Sequence, residues 1–232
     1  MNTTNIIHFI LYIVINIIRL FKLTELYQPT YNPYKIPFVR SKTYARQSND
    51  RLEKITSNID LNDVSTYLDI GSQLGYFVFS INEINKSILS TGIEMNKTSY
   101  MYSVLIGILN KSINVSFINT ELTSKISENI PSYDIISFLN VFHHIVHFQG
   151  FDEANIIMKD LYNKTNKYFI FETGQYNEKG CYWSNDLSFM GETPNQWLFD
   201  YLKSLGYSEV KLISKFNTHL NDEERSFFIC IK

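Results

Sequence analysis

Hydrophobic and polar positions divide the chain into three stretches. Between Ile6 and Leu23 apolar residues fill most positions, and the exceptions His8, Tyr12, Asn16, Arg19 and Lys22 recur every three or four residues. On a helix these line up as one narrow polar stripe beside a wide apolar face. The uninterrupted run from Ile6 to Ile18 is shorter than the roughly 20 residues a spanning helix needs, and reaching that length includes Arg19, which can snorkel at the edge. Two readings stay open: a helix in contact with a membrane, lying on it or crossing it, and a helix packed on the domain or at a dimer interface. A secretory signal fits poorly, because no Lys or Arg precedes the run and no small-residue cleavage site follows it. If the segment spans, Arg19, Lys22, Lys35 and Arg40 on its C-terminal side hold the following domain in the cytoplasm. Residues 24–41, with Pro29, Pro33 and Pro37 among Tyr27, Tyr31 and Tyr34, cannot run as a regular helix and read as an extended connector.

From Lys42 the pattern alternates. A mixed-charge helix is predicted over residues 42–58, then a short β-branched apolar run, Thr66–Ile70, as a buried strand. Helices follow over 76–85, 97–109, 121–129 and 152–163, interleaved with strands over 87–94, 114–118, 134–139 and 167–171. Strand and helix alternating over more than 100 residues predict a mostly parallel sheet covered on both faces. The end differs: a helix over 194–205, a strand over 207–214 and a last strand over 225–231, with a turn between the two strands that implies an antiparallel addition. Residues 42–232 therefore form one α/β domain behind an N-terminal appendage.

Composition narrows the class without naming a function. At 232 residues, 44% hydrophobic and 19% charged, the chain can bury a sizeable core, which excludes a disordered or disulfide-stapled whole. Twenty-one Lys and Arg against 23 Asp and Glu leave a formal charge of -2, so no overall field draws the protein to nucleic acid. Cys181 and Cys230 lack metal-ligand spacing.

The chemistry gathers where the first strand ends. In Tyr67-Leu68-Asp69-Ile70-Gly71-Ser72-Gln73-Leu74-Gly75 the strand runs into a glycine turn that opens a helix, at the sheet edge where open α/β folds bind ligands. Gly71 allows a ligand close to the backbone and Gly75 a close helix start. Glu94 ends the second strand about 20 residues on, where an acid can accept both hydroxyls of a ribose. A pyrophosphate would want a more glycine-rich cradle, which disfavours a nicotinamide dehydrogenase.

These residues resemble the class I, Rossmann-like S-adenosylmethionine-dependent methyltransferases over about residues 60–232. The resemblance rests on the Asp69, Gly71, Gly75 loop, on Glu94, on a polar turn at Asn119–Glu121, and on the strand at Tyr133–Ser137 that leads into Asn140-Val141-Phe142-His143-His144. It implies a seven-stranded sheet with an antiparallel last strand and helices on both faces. It also implies S-adenosylmethionine as cofactor, with Asp69, Gly71, Ser72, Gln73, Gly75 and Asn140 around the methionine part, Glu94 on the ribose and Thr120 and Glu121 at the adenine. Family members often have Asp where this chain offers Thr120 and Glu121.

On the acceptor side, His143 and His144 stand at the expected edge, either of them a base or an acceptor ligand. Glu172 ends the fifth strand as a third catalytic candidate, and the loop after it supplies Gln175 and Trp183 as acceptor contacts. Arg46, Arg51 and Arg225 are candidates for an anionic part of the acceptor. His143-x-x-x-His147 has a metal-like spacing but lacks the accompanying acid, so no metal is expected. The sequence thus predicts methyl transfer to a small molecule or a glycan, lipid-linked or free, by a cytoplasmic protein, with attachment to the membrane face through residues 6–23 as one of the two open readings. The alternatives are a transfer-RNA wobble-nucleoside methyltransferase and a noncatalytic protein that kept the fold.

Overall fold

The structure, a computed structural model, describes residues 48–218 and 223–232 together with Ile13. Residues 6–23, the connector at 24–41 and Arg46 therefore lie outside the described residues, apart from Ile13. Among those described, no helix is long and apolar enough to cross a membrane.

The chain runs α1 (Ser48–Asn58), β1 (Thr66–Ile70), α2 (Tyr76–Ile84), β2 (Leu89–Glu94), α3 (Lys97–Leu109), β3 (Val115–Asn119), α4 (Ser124–Asn129), β4 (Tyr133–Leu139), α5 (Phe142–Gln149), α6 (Phe151–Lys164), β5 (Thr165–Glu172), α7 (Pro194–Ser204), β6 (Glu209–Asn217) and β7 (Glu224–Ile231). Short 3-10 turns at Leu61–Asp63 and Ser184–Met190 complete it. The sheet has seven strands in the order β3-β2-β1-β4-β5-β7-β6. Neighbours from β3 through β5 pair in parallel, and β7 pairs antiparallel with both β5 and β6. The antiparallel strand is thus inserted between β5 and β6 and is not itself the sheet edge.

Alternation along the strands assigns side chains to two cores. Phe169 and Phe171 of β5, with Phe228 and Cys230 of β7, enter one, against Met158, Leu198 and Leu202 from the helices. Ile170, Phe227 and Ile229 enter the other, with Ile55, Phe77 and Ile81. Burial on both faces explains why these strands read as nearly continuous apolar runs. Each fully buried aromatic or aliphatic side chain contributes about 1.5–3 kcal/mol of transfer free energy.

Several boundaries shift for local reasons. β2 starts at Leu89 because the Ser87 amide donates to Asn85 Oδ1 at 3.1 Å in a side-chain-closed turn that precedes the strand. β6 continues past Ser214 through a register shift between Leu212 and Ser214. The largest departure is α5, a helix where the alternation implied only a turn. Asn140 at φ 61 reverses the chain out of β4, and the His144 and Ile145 amides then donate to Val141 O at 2.9 and 3.1 Å. Gly150, at φ 90, separates α5 from α6. Eight residues without a capping side chain are too short to give much helical signal.

Candidate functional site

The carboxyl edge brings the first glycine turn and the second strand's acid into direct contact. Gly71 and Ser72 donate their amides to Ile93 O at 2.8 and 3.0 Å, which lays the turn against the end of β2. The Gln73 amide donates to Glu94 Oε2 at 2.8 Å, and the Asn96 amide to Oε1 at 2.7 Å. Two backbone donors fix the carboxylate, and each oxygen keeps a further lone-pair direction. Burial pushes the Glu94 pKa up, and the amides of Asn96, Gln73 and Met95 offset part of that rise. The carboxylate is thus buried but held by backbone amides, with lone pairs left over for a ligand. Beside it, Asn119 Nδ2 donates to the carbonyls of Glu94 and Met95 at 2.7 and 3.1 Å, stapling β3 to β2.

Four elements meet in a buried polar chain behind this edge. Arg51 of α1 donates through Nε to Glu172 Oε2 at 2.6 Å and through Nη2 to Oε1 at 2.8 Å. Asn140 Nδ2 also donates to Glu172 Oε1, at 2.8 Å, and Asn140 Oδ1 accepts from Arg225 Nη1 at 3.0 Å. Arg225 in turn grips Glu178 from Nε at 2.8 Å and Nη2 at 2.5 Å, while Glu178 Oε1 accepts the Gln175 amide at 2.8 Å. All six residues are buried. Each guanidinium faces a carboxylate in two-point geometry, the arrangement that makes buried charge tolerable. Arg51 also lies 4.2 Å from the centre of the Phe216 ring.

The two histidines occupy different surroundings in the first turn of α5. His143 is buried, and its Nδ1 accepts the Gly174 amide at 3.0 Å with Thr173 Oγ1 at 3.1 Å. An amide can only donate, so Nδ1 is the accepting nitrogen and the neutral ring carries its proton on Nε2. Trp183 packs over it with ring centres 4.5 Å apart. A Cβ at Gly174 would stand 2.6 Å from Trp183 Nε1 and 3.0 Å from His143 Cγ, so this approach needs glycine. His144 is half-buried, with Nδ1 2.9 Å from the Tyr182 hydroxyl. Burial, then the charges of Arg225 and His147, lower its pKa to about 4, which leaves the ring neutral at pH 7. His147 Nδ1 is bonded instead to Asp186 Oδ2 at 2.6 Å. Among the described residues no three His, Cys, Asp or Glu side chains gather as a metal site.

No family model matches the chain. Among curated proteins it resembles WbdD of Escherichia coli, an O-antigen chain terminator bifunctional methyltransferase/kinase, with 26% identity over 195 residues, 80% of this chain and 25% of that protein. The chain thus spans about a quarter of the length of this curated relative. A crystal structure of WbdD superposes with a TM-score of 0.74 at 23% identity, covering 93% of this chain and 46% of that one. Magnesium protoporphyrin IX methyltransferase from Synechocystis PCC 6803, solved with bound SAH, gives a TM-score of 0.56 at 12% identity over 79% of this chain and 81% of that one. The chain has the class I methyltransferase fold.

The class I fold implies a sulfonium nucleoside at this edge, and the residues present fit one. A Cβ at Gly71 would lie 2.4 Å from Val141 Cγ2, and one at Gly75 2.6 Å from Phe117, and both glycines hold positive φ, 75° and 77°. Close packing and positive φ make both positions glycine-only, and the turn they shape carries the Gln73 amide onto a carboxylate with lone pairs left over, the pairing such a ligand requires. The other cofactor candidates sit differently. Ser72 turns its hydroxyl onto Gly92, where a Cβ would come within 2.6 Å of Ser72 Oγ, so this side chain faces β2. Asp69 is buried inside β1. Thr120 is half-buried and Glu121 exposed, with Glu121 Oε1 accepting from Gln149 at 2.9 Å. Asn140 gives its carboxamide to Glu172 and Arg225.

On the acceptor side, Arg51, Arg225 and Glu172 were each expected to meet substrate or the reacting proton directly, and this needs correction. They are bonded within one buried network, because charge removed from water needs a close partner. Trp183 is a packed wall of His143, and Gln175 is fully buried with a carboxamide that makes no hydrogen bond among the described residues. Three residues with clear parts here escaped the sequence reading: Thr173, Gly174 and Glu178. Only Glu178 carried a signal, as an acid in the loop matching the charge of Arg225.

Proposed function

We propose that the protein transfers the methyl group of S-adenosylmethionine to an oxygen of a small-molecule or glycan acceptor. The observation that carries this reading is the 2.8 Å bond from the Gln73 amide to Glu94, which joins the glycine turn and the ribose-type acid into one site. When bound, the cofactor supplies an electrophilic methyl carbon. Glu94 accepts the ribose hydroxyls on the lone pairs that the Gln73 and Asn96 amides leave over. Met95, 66% exposed directly after Glu94, offers an apolar surface to the adenine, with Thr120 and Glu121 at its edge. The turn shaped by Gly71 and Gly75 faces the remainder of the ligand.

The acceptor approaches the first turn of α5. Alignment and exclusion of water are the main requirements of this displacement at carbon. His143, held by the Gly174 amide and covered by Trp183, shapes the acceptor turn as a positioning residue, and His144 receives the acceptor proton. A pKa of about 4 leaves the His144 ring neutral and able to accept a proton at pH 7, but its low basicity puts most of the rate on alignment of the acceptor. The network of Arg51, Glu172, Asn140, Arg225 and Glu178 fixes this turn and the loop after β5, so Glu172 acts as a positioning residue. A small or glycan acceptor is favoured over transfer RNA because both buried arginines are neutralised by carboxylates, leaving no phosphate-binding charge in the described site. The name of the related WbdD, an O-antigen chain terminator, agrees with a glycan. Residues 6–23 are assigned as a membrane contact that keeps the domain at the cytoplasmic face, and deletion of residues 1–23 should move the protein from the membrane pellet to the soluble fraction.

Incubation with methyl-labelled S-adenosylmethionine and a membrane glycolipid extract tests the activity. Label should enter an alkali-stable glycan product and disappear with His144→Gln. Label recovered only in transfer RNA, or in no acceptor, refutes the acceptor class.

A further inference from the structure

Next to the acceptor turn lies a group of rings that the proposed chemistry does not use. Phe148 is 69% exposed and Tyr182 57% exposed, on two different elements, α5 and the loop after β5. His147 bridges them, 4.7 Å from Phe148 and 4.9 Å from Tyr182 between ring centres, and Phe148 to Tyr182 is 6.4 Å. His144 continues the surface inward, stacked on Tyr182 at 6.0 Å and 28°. Leaving a phenylalanine in water forgoes about 1.5–3 kcal/mol of burial, so a cluster of this kind asks for an occupant.

Its chemistry selects among occupants. Asp186 is already engaged by His147 Nδ1 at 2.6 Å, so the cluster presents no unengaged carboxylate to select a cation. Imidazole, carboxylate and phenol groups nevertheless border the apolar faces, and all of them bond hydroxyls. A pyranose ring has the matching surface: C–H bonds on one face to lie on an aromatic ring, and hydroxyls around its edge. The surface is also continuous with the acceptor turn, since the Tyr182 hydroxyl is 2.9 Å from His144 Nδ1. We propose that Phe148, Tyr182 and His147 form a saccharide subsite, holding a sugar ring next to the one presented to His144. The position of that second ring rests on the methyl-transfer reading, whereas binding to the platform does not.

The test is saturation-transfer NMR on the full chain with saturating S-adenosylhomocysteine and a fixed panel of methyl glycosides and disaccharides of glucose, galactose, mannose and N-acetylglucosamine. At least one disaccharide should receive saturation on its ring C–H protons, and the signal should fall at least about fivefold in both Tyr182→Ala and Phe148→Ser. Both positions are exposed, so these variants keep the core. Transfer to no member of the panel, or a signal unchanged in both variants, overturns the subsite. Pelleting with phosphatidylglycerol vesicles that both substitutions abolish reassigns the rings to a membrane and also overturns it. Saccharide binding without binding of S-adenosylhomocysteine supports the subsite and refutes the methyl-transfer reading.

Discussion

Replacing Arg51 with methionine tests the buried network where it is most heavily charged. Arg51 and Glu172 are 2% and 0% exposed and share two hydrogen bonds, 2.6 and 2.8 Å long. Methionine fills much of the same volume but takes both guanidinium donors from the carboxylate. Removing one member of a buried pair costs about 3–5 kcal/mol, because the other is left as uncompensated buried charge. For a domain of this size that lowers Tm by about 6–20 °C. Adding Glu172→Gln removes the stranded charge, and the Arg51→Met, Glu172→Gln double variant should regain at least half of the loss. Thermal and urea unfolding followed by circular dichroism measure all three variants. A loss below about 1 kcal/mol for Arg51→Met, or a double variant no more stable than that single one, would refute the assignment of this pair as a charge-compensating clamp. Because Asn140 hangs on Glu172, the single variant should also speed hydrogen exchange at the Gln175 amide, which is held by Glu178 at the far end of the network.

Two further changes report on the two halves of the site. Gly71→Ala places a methyl group 2.4 Å from Val141 Cγ2 at φ 75°, and should weaken S-adenosylhomocysteine binding at least about tenfold by calorimetry; an unchanged affinity would mean that the ligand does not approach this turn. The lowered pKa of His144, about 4 against 6.5, makes the folded state refuse a proton that the unfolded chain accepts. Its contribution to stability is present above pH 6.5 and is lost as pH falls toward 4, by up to about 3 kcal/mol. His144→Gln should flatten that part of the stability profile in urea titrations, and parallel profiles for the two proteins would show that His144 titrates normally.

The sheet was legible because its information is local. Runs such as Thr66–Ile70 and Asp134–Leu139 show their burial on both faces as mostly apolar stretches broken by single polar residues, and the intervening helices repeat with a period that separates them from strands. The cofactor edge was legible for a related reason: Gly71 and Gly75 lie in the turn after β1 and Glu94 ends the next strand, so their spacing along the chain encodes their meeting. The acceptor side was not. Arg51 and Glu172 are 121 positions apart, and Asn140 and Arg225 are 85 apart. No pattern in either neighbourhood says which charge neutralises which, so buried partners looked like ligand contacts. The α5 helix was lost because its eight residues are fixed by the turn at Asn140 and by packing on the core, and not by propensity. His143 illustrates the remaining gap: its position after β4 was foreseeable, whereas its tautomer depends on an amide in another loop.

The central claim is that the glycine turn and Glu94 hold one nucleoside. Titration of the intact protein with S-adenosylhomocysteine in a calorimeter, repeated with Glu94→Ala and with a nicotinamide dinucleotide competitor, addresses it most directly. The account predicts saturable one-site binding, at least about tenfold weaker in Glu94→Ala, the cost of roughly one lost charged hydrogen-bonding group, and undisturbed by the dinucleotide. Absence of binding to the folded wild type, equal affinity for both proteins, or tight dinucleotide binding in its place would contradict it.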